Sequence, residues 1–178
     1  KERNVIQSSF VRENLSYIFI KENDKNRKLL SILNKINGST IIYAKSRRDC
    51  VSICKLLIEN NISANYYHAG VTLTERNKRQ ENWKSGKCRV IVATNAFGMG
   101  IDKSDVRLVI HTHIPSTIES YFQETGRSGR DEKESFAVLL YNSNDEKYLR
   151  EFVELHFPSI DEIKDCYQKL ANYLQLAV

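Results

Sequence analysis

The chain has 178 residues, 41% hydrophobic and 28% charged, with seven glycines and two prolines. That is the size and balance of one globular domain with a sizeable core; it excludes a disordered segment, a collagen and a linker. Lysine and arginine outnumber aspartate and glutamate by 27 to 22, and the net charge of +5 favours a polyanionic partner without requiring one. No run approaches the roughly 18 consecutive apolar residues of a membrane helix, and KERNVIQSSF lacks the apolar core of a secretory signal, so no membrane partner is expected. Cys50, Cys54, Cys88 and Cys166 form no CxxC pair, which points away from zinc and disulfides and towards a reducing compartment. The chain begins at Lys1 and its one methionine, Met99, is internal, as expected of a piece of a longer protein.

Strand-length apolar stretches alternate with helical periodicity along the chain. Leu15 to Ile20 reads as a strand, and Leu29, Leu30, Leu33 and Ile36 mark a helix face. Thr40 to Ala44 is short and β-branched, as a buried parallel strand should be. Cys50, Val51, Cys54, Leu57 and Ile58 predict the apolar face of a second helix, opened by Ser46 with Asp49; the two cysteines read as core packing. Ala64 to Tyr67 predicts a short strand, and Thr72 with Glu75 opens a helix running to about Ser85 and Gly86. Arg89 to Ala93 reads as a buried strand, followed by a glycine-bearing loop and a further strand over Arg107 to His111. Ser116 with Glu119 predicts the next helix start, with Ile118, Tyr121 and Phe122 as its apolar face. Phe136 to Tyr141 is the last strand, and two helical patterns separated at Pro158 follow, the second capped by Ser159 with Glu162.

This alternation implies right-handed βαβ units: an α/β fold with a mainly parallel sheet and helices on both faces. The expected organisation is a sheet domain over residues 1–157 and a C-terminal helical appendage over 158–178. Ligands of such sheets sit beyond the carboxyl ends of the strands, which directs attention to the loops after Ala44, Tyr67, Ala93, His113 and Tyr141.

Four segments carry chemistry. QETGRSGR, Gln123 to Arg130, places Arg127 and Arg130 directly after Gly126 and Gly129. Glycine allows close backbone approach, and the guanidinium fork matches phosphate oxygens and neutralises charge developing in phosphoryl transfer. This loop is expected at the ligand edge of the sheet. VATNAFGMGIDKSDV, Val92 to Val106, offers Thr94 and Asn95 as donors to a phosphate or base, and Asp102 as an acceptor for a ribose hydroxyl. YAKSR (Tyr43 to Arg47) and YHAG (Tyr67 to Gly70) lie at other strand ends, and Ser46 at a helix N-terminus beside Arg47 and Arg48 suits a backbone phosphate. No GxxxxGK[ST] loop and no DExH-like magnesium-holding segment is found, so the arginines need a triphosphate held elsewhere.

In this order and spacing, YAKSR, YHAG, VATNAFGMGIDKSDVR and IESYFQETGRSGRDE resemble the second RecA-like lobe of the RecQ family of DNA helicases. The match runs from about Thr40 to Tyr141, and the glutamine opening QETGRSGR resembles RecQ more than DEAD-box RNA helicases. The resemblance implies two RecA-like lobes clamping ATP and magnesium while single-stranded DNA crosses both. The partners implied are single-stranded or duplex DNA and the N-terminal RecA-like lobe of the same protein. It further implies that Gln123, Arg127 and Arg130 face the nucleotide, with Arg130 the finger and Arg127 its partner. Gly100 and Asp102 would touch the sugar, Gly126 and Gly129 would line the nucleotide site, and Ser46, Arg47, His68, Gly70, Thr94 and Asn95 would lie near the DNA backbone.

The chain departs from the family at Ser116, where a basic residue is frequent, and at Glu132, where glycine is common. The segment SIDEIKDCYQKLANYLQLAV carries one cysteine, Cys166, in place of a four-cysteine zinc module, so no zinc is expected in this piece. The expected whole is an ATP-dependent, 3′-to-5′ DNA helicase, nucleoid-associated in a bacterium or nuclear in a eukaryote, whose isolated second lobe hydrolyses no ATP. A non-catalytic nucleic-acid-binding module of the same fold, and an RNA helicase lobe, are the alternatives.

Overall fold

A computed structural model describes residues 12–98 and 101–176. Six strands, β1 (Leu15–Lys21), β2 (Ser39–Tyr43), β3 (Ala64–Tyr67), β4 (Val90–Ala93), β5 (Val106–His111) and β6 (Ser135–Tyr141), form one sheet in the order β1-β6-β5-β2-β4-β3. Every neighbouring pair is parallel, as short β-branched runs alternating with helices predict. Helices α1 (Lys25–Lys35), α2 (Arg47–Glu59), α3 (Leu73–Lys84) and α4 (Ile118–Thr125) connect them.

The pleat sorts the core into two clusters. Ile42, Val90, Val92, Leu108 and Ile110 face one side, under Leu29, Ile32 and Leu33 of α1 and Cys50, Ile53, Cys54 and Leu57 of α2. Ile41, Tyr43, Ile91, Ala93 and Val109 face the other, under Trp83 of α3 and Phe97 of the β4–β5 connection. Trp83 is fully buried and its indole N–H donates to the Thr40 carbonyl at 3.1 Å, so the ring's polar atom is not left unpaired. Burial raises the thiols of Cys50 and Cys54, to about 12 and about 11, which makes them inert core residues as expected.

Helix starts follow their caps. The side chains of Asp24, Ser46 and Thr72 accept from the backbone N–H three residues on, each contributing about 1 kcal/mol. At α4 the cap is Thr117, accepting from the Ser120 N–H, one residue after the expected Ser116. Two expected apolar faces are also rotated. In α2, Val51 and Ile58 are exposed while Ile53 is buried, because the i, i+3, i+4, i+7 set centred on Cys50 and Cys54 takes the core. In α4, Ile118 and Phe122 are exposed and Tyr121 with Thr125 is buried. Arg89 lies outside its expected strand; its guanidinium donates to the carbonyls of Leu33 and Ile36 at 2.6 Å and closes the C-terminus of α1.

The chain divides into two compact units between Asn142 and Ser143, earlier than the boundary at 157/158 read from the sequence. The second unit consists of α5 (Ser143–His156) and α6 (Ile160–Leu176). Ser159 and Glu162 form the expected capping box: the Ser159 N–H and hydroxyl donate to Glu162 Oε2 at 2.7 and 2.8 Å.

Candidate functional site

All strands being parallel, their carboxyl ends share one edge. Tyr43 of β2 and Tyr67 of β3 both register with Ala93 of β4, which sets YAKSR, YHAG and VATN side by side. Arg47 is exposed, and its Nη1 lies 3.3 Å from where a side-chain carbon on Gly70 would stand. His68 Nδ1 accepts from the Gly70 N–H at 3.2 Å, while its ring stacks on Tyr66 with centroids 5.4 Å apart. Burial, then the charges of Arg47 and Arg79, lower the His68 pKa, so the ring is held neutral beside the cations. Ser46 is committed locally: its hydroxyl donates to Asp49 Oδ2 at 2.7 Å and accepts from the Asp49 N–H at 3.1 Å. Thr94 and Asn95 line a cavity of about 130 Å³ together with Lys45, Ser116, Ser120 and Glu124. The expected group of Ser46, Arg47, His68, Gly70, Thr94 and Asn95 is therefore gathered along one edge, with Arg47 its outward cation.

The arginine segment lies elsewhere. Glu124 meets His111 at the carboxyl end of β5, and the Gly129 N–H donates to the Val106 carbonyl at its amino end, at 2.8 Å. The stretch between them thus descends a sheet face, about 16 Å along β5, and does not occupy the ligand edge expected from the sequence. The reason is geometric: α4 leaves the carboxyl edge and returns against the strands, so the loop after it points to their amino ends. Gln123 is exposed on α4, and Gly126 caps it by donating to the Phe122 carbonyl.

The two arginines have opposite settings. Arg127 Nη1 donates to the Gly98 carbonyl at 2.6 Å, and a side-chain carbon on Gly98 would stand 2.5 Å from Arg127 Nη2, so the guanidinium is wedged against bare backbone. It stands beside the buried Tyr43, whose hydroxyl donates to the Phe97 carbonyl at 3.0 Å and whose pKa burial raises. Arg130 points outward, 37% exposed, with Nη1 3.2 Å from the Ile101 carbonyl and 3.3 Å from Asp102 Oδ1. Asp102 is 91% exposed and pairs with Arg130. Gly129 has φ +59 with Asn14 and Ser135 crowding the site of a Cβ at 2.6 Å, so glycine is required there. Its N–H and carbonyl are both bonded within the lobe, so Gly129 shapes the loop. Gly100, like Met99, lies outside the described residues.

Sequence reasoning passed over four polar residues that the fold brings to this face. His111 is fully buried, its ring stacked on Tyr43, and its Nε2 lies 2.7 Å from Glu124 Oε2. Arg107 Nη2 pairs with Asp131 Oδ1 at 2.5 Å, and this bond lowers the Asp131 pKa. Glu124 and Asp131 sit inside or beside QETGRSGR, so adjacency was a signal; nothing local marks His111 or Arg107, whose partners lie 13 and 24 residues away. Among the described residues, no three His, Cys, Asp or Glu side chains converge as metal ligands, and no helix is long and apolar enough to cross a membrane.

The site thus consists of two arginines on a helix-to-strand loop of a parallel sheet, and a strand-end polar cluster apart from them. The family model for the helicase conserved C-terminal domain matches residues 24–132, and the chain belongs to that family. Within it, the chain resembles the RecQ branch. It is 43% identical over 152 residues to the RecQ-like DNA helicase blm-1 of Caenorhabditis elegans, covering 83% of this chain and 15% of that protein. It is 37% identical over 155 residues to the ATP-dependent DNA helicase RecQ of Bacillus subtilis, covering 86% of this chain and 26% of that protein. The chain thus spans about a quarter or less of these two relatives. Among solved structures, a DEAD box protein from Methanococcus jannaschii superposes with a TM-score of 0.67 at 28% identity, over 80% of this chain and 40% of that one.

Proposed function

We propose that this chain is the second motor lobe of an ATP-dependent DNA helicase that moves along one strand 3′ to 5′, the polarity following from the RecQ resemblance. The observation that carries the reading is the contrast between Arg127, wedged into the lobe, and Arg130, exposed and held by two contacts longer than 3 Å. A guanidinium so placed can leave Asp102 and reach a γ-phosphate bound by the other lobe when the two close. ATP and magnesium are held mainly by that first lobe. Here Arg130 neutralises transition-state charge, Arg127 fixes the loop, Gln123 faces the cleft and Asp102 serves the ribose. Arg47, His68, Gly70, Thr94 and Asn95 follow the DNA backbone, with Ser46 ordering the helix start beneath them. The sheet unit is the motor body, the helices from Ser143 onward begin a helical appendage, and the protein works where DNA is, in nucleoid or nucleus.

The test is Arg130→Ala in the full-length protein. Arginine fingers are worth roughly 10³ to 10⁵ in turnover, so single-turnover ATP hydrolysis should fall on that scale while ATP and DNA still bind. Hydrolysis within about threefold of the parent refutes the finger. ATP turnover stimulated by RNA in preference to DNA would reassign the motor to RNA, and a full-length protein without turnover would make it a binding module.

A further inference from the structure

We propose that Arg107 is the positioning residue of Arg130: it fixes the backbone on which the finger is mounted and touches no substrate itself. This rests on the reading of Arg130 as the finger. Arg107 is the second residue of β5, 17% exposed, and its stem lies over Gly38, where a side-chain carbon would stand 2.5 Å from Arg107 Cγ. From there the guanidinium gathers three separate pieces of chain. Nη2 binds Asp131 Oδ1 at 2.5 Å, the residue next to Arg130. Nη1 donates to the Glu134 carbonyl at 3.1 Å and to Ser135 Oγ at 3.2 Å, where β6 begins. Nε and Nη2 donate to the carbonyls of Asp105 and Ser104 at 3.3 and 3.4 Å, just beyond the Asp102 that Arg130 contacts.

The other side of Arg130 is fixed independently. Gly129 donates to the Val106 carbonyl, and its own carbonyl accepts from the Asn14 amide at 2.7 Å and from the Arg12 guanidinium. Residues 129 and 131 are thereby anchored to β5 and its flanks, while the side chain between them stays outward and loosely held. That is what a group reaching into another body requires: an error of about 1 Å in mounting can cost on the order of 10²-fold in rate, and a flexible mount would also spend binding energy on ordering. The planar fork matters because it makes these bonds at once in different directions; lysine has the charge without the fork.

The experiment uses the full-length protein and DNA-stimulated ATP hydrolysis. Arg107→Lys keeps the stem over Gly38, and Asp131→Asn removes only the charge partner. Each should lower kcat by about tenfold or more while the KM for ATP and the affinity for single-stranded DNA stay within about threefold. In an Arg130→Ala background, Arg107→Lys should cost less than a further twofold, because a residue acting through the finger has nothing left to position. Multiplying losses in the double variant, a rise in KM matching the fall in kcat, or kcat within about threefold for both single variants overturns the proposal. An Arg130→Ala protein of near-parental activity is a different outcome: it removes the finger reading itself, and Arg107 with it.

Discussion

The strand-end cluster and the arginine segment solve opposite problems with the same residue type. At the strand ends, short loops hold Arg47 beside Gly70 and His68, and the cation projects from a helix start that Ser46 and Asp49 have already satisfied. The contact proposed for Arg47 needs reach and charge, since a backbone phosphate can be met from many directions. On the sheet face, backbone is anchored at Gly126, Gly129 and Asp131 before a single arginine is released outward. Under the proposed function the difference follows from the two tasks: binding a polyanion tolerates loose mounting, whereas meeting one reacting oxygen does not.

The two arginines themselves should differ most in what their loss does to the fold. Arg127→Ala should destabilise the chain by about 1.5–3 kcal/mol, since a charged hydrogen bond at a half-buried site is lost, and lower Tm by roughly 3–12 °C at 2–4 °C per kcal/mol. Arg130→Ala should change stability by less than about 0.5 kcal/mol. Thermal unfolding of the two variants checks this; equal Tm values would erase the distinction between wedge and finger.

Arg47→Ala sharpens the other side. Affinity for single-stranded DNA should fall by up to about tenfold, equally across sequences, and the slope of log affinity against log salt should become shallower by about 0.7. Titrations at three or more salt concentrations measure it, and an unchanged slope with altered sequence preference would take Arg47 off the backbone.

A smaller effect is expected at Glu132, which has φ +63, the left-handed conformation that glycine adopts freely. Glu132→Gly relieves roughly 1–2 kcal/mol of steric cost and loses some to the more flexible unfolded chain, for a net gain of up to about 1 kcal/mol. Denaturant melts should show it; a loss would mean that the Glu132 side chain stabilises the turn.

The smallest concerns pH. The folded pKa of His68 lies below its ordinary 6.5, so the unfolded chain binds the proton more readily. Its contribution to stability is complete above about pH 6.5 and is lost as pH falls from there to the lowered native value. His68→Asn should flatten the stability profile in that window alone, and an unchanged slope would show that His68 does not titrate in folding.

Much of this was legible in the residues. Strand alternation gave six parallel strands within a residue or two, because buried parallel strands require β-branched runs that little else explains. The caps at Ser46, Thr72 and Ser159 were readable as short-range chemistry. Glu132 stood out as a departure from glycine, and the structure gives that departure a backbone cost. The course of the arginine loop was not legible, because it depends on the direction in which α4 returns. Nor was Arg107, which reads as a surface arginine until β5 and β6 pair and bring Asp131 to it. Side-chain partners across strands are products of the sheet and have no local spelling.

The connection from β4 to β5 starts at Thr94, among the strand-end residues, and passes Asp102, beneath Arg130, before β5 begins. Between them Phe97 is buried, its ring edge-on to Tyr67 and Trp83 at 4.8 and 5.5 Å. Ile101 is buried in the same core cluster, and Lys103 donates to the Lys84 carbonyl at 2.9 Å, so the connection is fastened to the core and to α3 on both sides of residues 99 and 100. If the proposed function holds, linkage imposes a symmetry through this connection: whatever factor DNA at one end lends to nucleotide affinity at the other, nucleotide must return to DNA in equal measure.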